Sequence, residues 1–231
     1  MKERGDKPAP VDLGLEVLKR LDDAGLLEDL VLVGSWCTHF YKQYFGKKAQ
    51  LSVLRTRDMD FLIRRPPRFK ANVRVADLLK DLGFLPDLHR DGYVSLLHPD
   101  LIIDFLIAER GRGSGKPYPV EALGIGAQPL RYLDFLTQDT VMVHADGLDL
   151  QLPHPANFGL HKLIIGGRRV RPEKRSKDWQ QGVEILRALA ERGDQALIKA
   201  KFDEMPAGWR RDVLSALGQV DGADVTTFLR S

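Results

Sequence analysis

The run Leu101-Ile-Ile-Asp-Phe-Leu-Ile107 is apolar at six of its seven positions, and no other feature constrains the fold as much. A run of this kind reads as a β-strand of a buried sheet, and Asp104 interrupts it. Burying a carboxylate among Ile102, Ile103, Phe105 and Leu106 is expensive unless the charge is paired or bound to a metal. Asp104 is therefore a candidate functional residue by position alone.

A second strand carries the matching signal. In Arg55-Thr-Arg-Asp-Met-Asp-Phe-Leu-Ile63, a strand alternates faces with a period of two, so Asp58 and Asp60 point together while Met59, Phe61 and Ile63 share the apolar side. Upstream, Leu30-Val-Leu-Val33 is a short strand, Gly34-Ser35 a turn, and Trp36 to Phe45 an aromatic-rich helix. Three carboxylates and a Gly-Ser turn thus converge on one expected site.

The remaining elements follow from periodicity and turn chemistry. Val11 to Leu27 is an amphipathic helix stopping near Gly25, Gly46 to Val53 a loop, and Val73 to Leu82 a helix closed by Gly83. Tyr93 to Leu97 and Leu101 to Ile107 form a hairpin through His98-Pro-Asp100. Gly111 to Pro119 is a loop, and Thr140 to His144 pairs with Leu148 to Leu152 across Asp146-Gly147, a favoured tight turn. From Pro155 the pattern is helical: Ala156 to Ile165, Lys177 to Glu191, Gln195 to Phe202 and Arg210 to Leu217. Mixed elements followed by helices alone predict an α+β fold. Residues 1–153 would be a catalytic domain with a small mixed sheet flanked by helices, and residues 154–231 a helical domain closing its cleft.

With 231 residues, 43% of them hydrophobic, the chain has ample material for a buried core. No apolar run approaches the length of a membrane span, and the start Met1-Lys-Glu-Arg-Gly-Asp-Lys-Pro lacks the apolar middle of a secretory signal. The single cysteine, Cys37, excludes an internal disulfide and any multi-cysteine zinc site, and fits a reducing compartment. A cytoplasmic location is the expectation. The net charge of +3 is too small to require a nucleic-acid partner, but its distribution is uneven. One basic stretch holds Arg64, Arg65, Arg68, Lys70 and Arg74. Another holds Lys162, Arg168, Arg169, Arg171, Lys174, Arg175 and Lys177, opposed only by Glu173.

Magnesium prefers oxygen ligands and completes its shell with water and substrate phosphate, so a site built on few carboxylates suits it. Asp58 and Asp60 fit that role. Asp104, arriving from another strand, fits the ion nearest an attacking hydroxyl and is placed to help remove its proton. Without a cation, three close carboxylates repel one another and at least one pKa rises. At Gly34-Ser35, glycine permits close approach of the backbone to phosphate, while serine and the helix start offer donors to an anion. The same Ser35 also reads as an ordinary helix cap.

These residues resemble the DNA polymerase β-like nucleotidyltransferase superfamily: Gly34-Ser35 and its helix, a strand with Asp58-Met-Asp60, and a later strand with Asp104. More narrowly, Val33-Gly-Ser-Trp with Arg55-Thr-Arg-Asp-Met-Asp-Phe-Leu-Ile63 is similar to bacterial nucleotidyltransferase-like proteins related to toxin–antitoxin nucleotidyltransferases, whose Lys and Lys-Asp motifs resemble Lys162 and Lys177-Asp178. The resemblance spans residues about 30 to 190. Twenty-two residues, 36 through 57, separate Ser35 from Asp58, so a loop near Gly46 to Leu54 is inserted relative to the compact motif.

The resemblance implies metal-dependent transfer of a nucleoside monophosphate from an NTP such as ATP to an acceptor hydroxyl, with release of pyrophosphate. It implies Mg2+ or Mn2+ at Asp58, Asp60 and Asp104, and nucleotide contacts from Gly34, Ser35, Arg55, Thr56, Lys162, Arg168, Lys174 and Lys177. The acceptor would be the hydroxyl of an RNA, a protein or a small molecule. The rival reading keeps the fold as a catalytically silent nucleotide- or RNA-binding module, or as a toxin–antitoxin component with an antitoxin-type protein partner.

Other signals carry less. Arg110-Gly-Arg-Gly-Ser-Gly-Lys116 lacks the first glycine and the final hydroxyl of a P-loop. The six histidines show no close metal-ligand pair.

Overall fold

A computed structural model gives the fold and describes residues 10–46, 51–52, 56–113 and 115–230. They form two compact units, one within residues 1–37, 55–134 and 142–152, the other within 38–54, 135–141 and 153–231. In chain order the elements are α1 (Pro10–Asp23), β1 (Leu30–Val33), α2 (Trp36–Phe45), β2 (Asp58–Ile63), α3 (Val75–Leu78), β3 (Leu85–Leu88), β4 (Val94–Leu97) and β5 (Ile102–Ala108). There follow β6 (Tyr118–Val120), β7 (Ile125–Leu130), α4 (Asp134–Thr137), β8 (Thr140–Ala145), β9 (Leu148–Pro153), α5 (Pro155–Gly166), α6 (Pro172–Glu191), α7 (Gln195–Asp203), α8 (Ala207–Leu217) and α9 (Ala223–Arg230). The α+β class and the mixed sheet flanked by helices are as expected.

The apolar run 101–107 becomes the strand on which the sheet of the first unit is built. β5 runs parallel to β2 with Asp60 opposite Asp104 and Phe61 opposite Phe105. On its other edge, β4 lies antiparallel along the first part of β5, and β7 lies parallel along the last part. β1 closes one side, antiparallel to β2, and β3 the other, antiparallel to β4. Strands covered on both faces need apolar residues at nearly every position. Met59, Phe61, Leu62, Ile63, Ile103, Phe105, Leu106 and Ile107 are accordingly buried, with the Phe61 and Phe105 rings stacked at 5.8 Å. The carboxylates occupy the beginnings of β2 and β5; two residues further on, the same face carries Leu62 and Leu106.

Several expectations change in detail. The helix expected over 73–82 is broken into α3 and a 3-10 turn at Lys80–Leu82, ending at Gly83 in the left-handed region. β3, β6 and β7 replace what read as connecting segments, α6 begins five residues earlier than expected, and α9 is an additional helix. Of the loop expected over 46–53, only residues 46, 51 and 52 are described.

The second unit is helical at its centre. α5 is buried almost all round and packs on α6. A Cβ at Gly182 would stand 2.8 Å from the Gly159 carbonyl oxygen, and one at Gly159 would meet the Leu186 side chain at 2.8 Å. The two backbones cross where only glycine fits. No helix among the described residues is long and apolar enough to cross a membrane.

Candidate active site

Pairing sets the three aspartates side by side. Asp58 and Asp60 share a face of β2, and Asp104 lies directly opposite Asp60 on the neighbouring parallel strand. Paired residues of adjacent strands project to the same face, with backbones about 4.8 Å apart. Asp58 is exposed, whereas Asp60 and Asp104 are half-buried. The Thr56 hydroxyl accepts the Asp58 backbone N–H at 3.2 Å and so fixes the entry to β2.

The Gly-Ser turn arrives from the other edge of β2. Val33 pairs with Asp60, so Gly34 continues β1 directly into the carboxylate. Its φ is +72°, and a Cβ built there would stand 2.2 Å from Asp60 Oδ2. Gly34 is therefore required twice, by its left-handed backbone and by the carboxylate lying against its α-carbon. Ser35 follows, half-buried, and the Cys37 N–H bonds to the Gly34 carbonyl at 3.3 Å as α2 begins.

Asp104 is held from the opposite side by residues that the sequence did not single out. The Ser95 hydroxyl, opposite Asp104 on β4, donates to Asp104 Oδ1. His89 Nε2 lies 2.8 Å from Ser95 Oγ, and the His89 ring stacks on Tyr93 at 3.9 Å. Burial raises the Asp104 carboxyl above the ordinary carboxylate range. The Ser95 hydrogen bond opposes that rise, the Asp58 charge adds to it, and His89 counters it. A signal for Ser95 was present: once 97 pairs with 102 across the His98-Pro-Asp100 turn, residue 95 must face residue 104.

The donor set suits a hard cation, since it is carboxylate oxygen throughout and Asp104 carries an unfavourable charge that a cation would relieve. Among the described residues, no three His, Cys, Asp or Glu side chains close into a ready cage. A magnesium site that retains water and takes phosphate oxygens from its substrate requires none.

The expected nucleotide contacts divide between the units. Gly34, Ser35 and Thr56 are with the aspartates in the first; Arg55 lies outside the described residues. Lys162, Arg168, Lys174 and Lys177 belong to the second. There, Lys162 is 5% exposed, and its Nζ lies 2.6 Å from Asp178 Oδ1, whose other oxygen accepts from Arg169 Nε at 2.7 Å. Arg168 donates to Asp212 at 2.7 Å, Lys174 is exposed and Lys177 half-buried. Burial alone would raise the Asp178 carboxyl, but Lys162 and Arg169 overcome this and hold it below its ordinary value.

Comparison with known proteins places the chain in a family. A family model described as nucleotidyltransferase matches residues 14–206. No curated protein matches the chain. Among solved structures, an antigenic nucleotidyltransferase-like protein from Paracoccidioides brasiliensis is similar at 13% identity over 96% of this chain and 91% of its own, with a TM-score of 0.49. ANT(2″)-Ia in complex with adenylyl-2″-tobramycin is similar at 13% identity over 83% of this chain and 97% of its own, with a TM-score of 0.43. The match over residues 14–206 takes in both strands that bear the aspartates, and the chain belongs to the nucleotidyltransferase family.

Proposed function

We propose that the chain transfers a nucleoside monophosphate from a nucleoside triphosphate to an acceptor hydroxyl, releasing pyrophosphate, and that Asp58, Asp60 and Asp104 carry the reaction. The observation behind this reading is the register that sets Asp60 opposite Asp104, with Gly34 pressed against the Asp60 carboxylate. Mg2+ or Mn2+ would be held by these three aspartates, and when bound it supplies charge neutralisation at the phosphoryl oxygens.

The chain's own residues would do the rest. Asp104, on the strand beside Asp60, takes the proton of the acceptor hydroxyl. As the acceptor oxygen bonds to the α-phosphorus, the bond from that phosphorus to the bridging oxygen breaks, and pyrophosphate leaves with the electron pair. Gly34 leaves room for the Asp60 carboxylate and exposes backbone near it, while Thr56 holds the start of β2. Catalysis of this kind rests on positioning and charge more than on covalent chemistry.

The test uses α-labelled nucleoside triphosphates, Mg2+ and a cell extract, followed by separation of RNA, protein and small-molecule fractions. The expected result is label in one fraction with stoichiometric pyrophosphate, lost with Asp58→Asn. Binding of Mg-NTP without transfer or pyrophosphate release in any fraction would instead support the silent binding module.

A further inference from the structure

We infer that Ser95 and His89 are positioning residues for the reaction: a hydrogen-bond chain running from the β3–β4 hairpin through Ser95 fixes the Asp104 carboxylate, leaving its second oxygen for the acceptor. The inference rests on the reading that Asp104 receives the acceptor's proton.

A serine hydroxyl has one proton. Ser95 gives it to Asp104 Oδ1, so the contact between His89 Nε2 and Ser95 Oγ at 2.8 Å can close only if the imidazole donates its Nε2–H. The chain therefore has one direction, from His89 to Ser95 to Asp104. It is also built into the fold at each link. Ser95 is buried and set opposite Asp104 by strand register. His89 is locked at the hairpin tip by its own N–H, which bonds to the Tyr93 carbonyl at 2.9 Å, by the Gly92 N–H bonded to its carbonyl at 2.8 Å, and by the stacked Tyr93 ring. Asp87 Oδ2 stands 3.7 Å from His89 Nε2 and favours the N–H on that nitrogen. A carboxylate free to rotate between two strands would present either oxygen; this one is pinned by Oδ1, which fixes where Oδ2 points.

The experiment compares wild type with His89→Phe, which keeps the stacking ring but has no N–H, with His89→Gln, which keeps a side-chain N–H, and with Ser95→Ala and Ser95→Thr. Two readouts are taken: kcat and KM for nucleotidyl transfer, and the carboxyl 13C shift of Asp104 in metal-free protein at one fixed pH. Ser95→Ala is expected to lower kcat about ten- to a hundredfold, the scale of one hydrogen bond to a charged group, and His89→Phe about two- to tenfold, the scale of a neutral one, with KM for NTP unchanged and the Asp104 resonance displaced in both. His89→Gln and Ser95→Thr are expected to restore most of both. Unchanged kcat and an unchanged Asp104 resonance in His89→Phe would overturn the inference, as would failure of His89→Gln to recover either readout. These results leave the proposed reaction standing if wild type is active; a wild type without transfer to any acceptor removes the reaction itself and the role of Asp104 in it.

Discussion

Replacing Gly34 by alanine separates two costs that are joined at this position. The first is backbone strain, because φ is +72° and an L-residue in the left-handed region costs about 1–2 kcal/mol. The second is local to the site: the added Cβ would lie 2.2 Å from Asp60 Oδ2, so the carboxylate must retreat by about 1 Å or more to reach van der Waals contact. Moving it off its rotamer adds about 0.5–1.5 kcal/mol. Gly25 supplies the control, since it has φ +66° with open space where a Cβ would go. Urea unfolding followed by circular dichroism is expected to show a loss of about 1–2 kcal/mol for Gly25→Ala, and more than that for Gly34→Ala. Turnover divides the two variants further. A displacement of about 1 Å at a reacting group is worth about a hundredfold in rate, so Gly34→Ala should lose that much kcat while Gly25→Ala keeps wild-type activity. Equal turnover in the two variants would refute the claim that Gly34 makes room for a working carboxylate.

Other perturbations bear on different parts of the molecule. Asp104→Asn should reduce transfer by about 10²- to 10⁴-fold, the usual contribution of a general base, yet raise thermal stability at neutral pH. The sign follows from the raised carboxyl: the protonated folded form is favoured, and stability is lost as pH rises from the ordinary carboxylate value through the higher folded one. In the helical unit, Lys162→Met should cost up to about 3 kcal/mol, because Arg169 alone is then left to pair with buried Asp178, whereas Lys162→Met with Asp178→Leu should recover most of it in the same urea measurement. Recovery of stability together with unimpaired Mg-NTP binding would assign Lys162 to the core. His161, whose imidazole is pushed down to about 3 by burial and by Lys162, against Asp178, takes up a proton in the unfolded chain first. Stability should therefore fall as pH drops from about 6.5 toward 3, by up to about 1.4 kcal/mol per pH unit, and His161→Leu should flatten that slope in pH-dependent unfolding.

How much of this was legible in the sequence depended on what set each element. Asp58–Ile63, Trp36–Phe45 and the hairpin across Asp146-Gly147 were readable because local pattern and tertiary demand agree there. β3 was not: Leu-Pro-Asp-Leu has no apolar alternation, and its four residues are all exposed on an edge strand, the place where Pro86 is tolerated. β7, with Gly126 and Pro129, owes its extended form to pairing with β5 and β6. The helix expected over 73–82 breaks although Val75, Leu78, Leu79 and Leu82 keep helical spacing; its last turn tightens to a 3-10 turn that runs into Gly83 in the left-handed region. At the site, the aspartates and Gly34 were visible as residue types in order. That Gly34 touches Asp60, and that Ser95 and His89 hold Asp104, depends on strand register, which no single segment displays. Lys162 shows the reverse case. Its charge suggested phosphate, but its place on a helix buried almost all round matches it with Asp178 instead.

The central claim is that the β2 carboxylates hold the metal–nucleotide complex. It is tested most directly by calorimetric titration of a non-hydrolysable nucleoside triphosphate into wild type and the double variant Asp58→Asn, Asp60→Asn, each with Mg2+ and with EDTA. Binding that appears only with Mg2+ and vanishes in the double variant, with folding intact by circular dichroism, is the predicted result. Equal binding in all four titrations would contradict it.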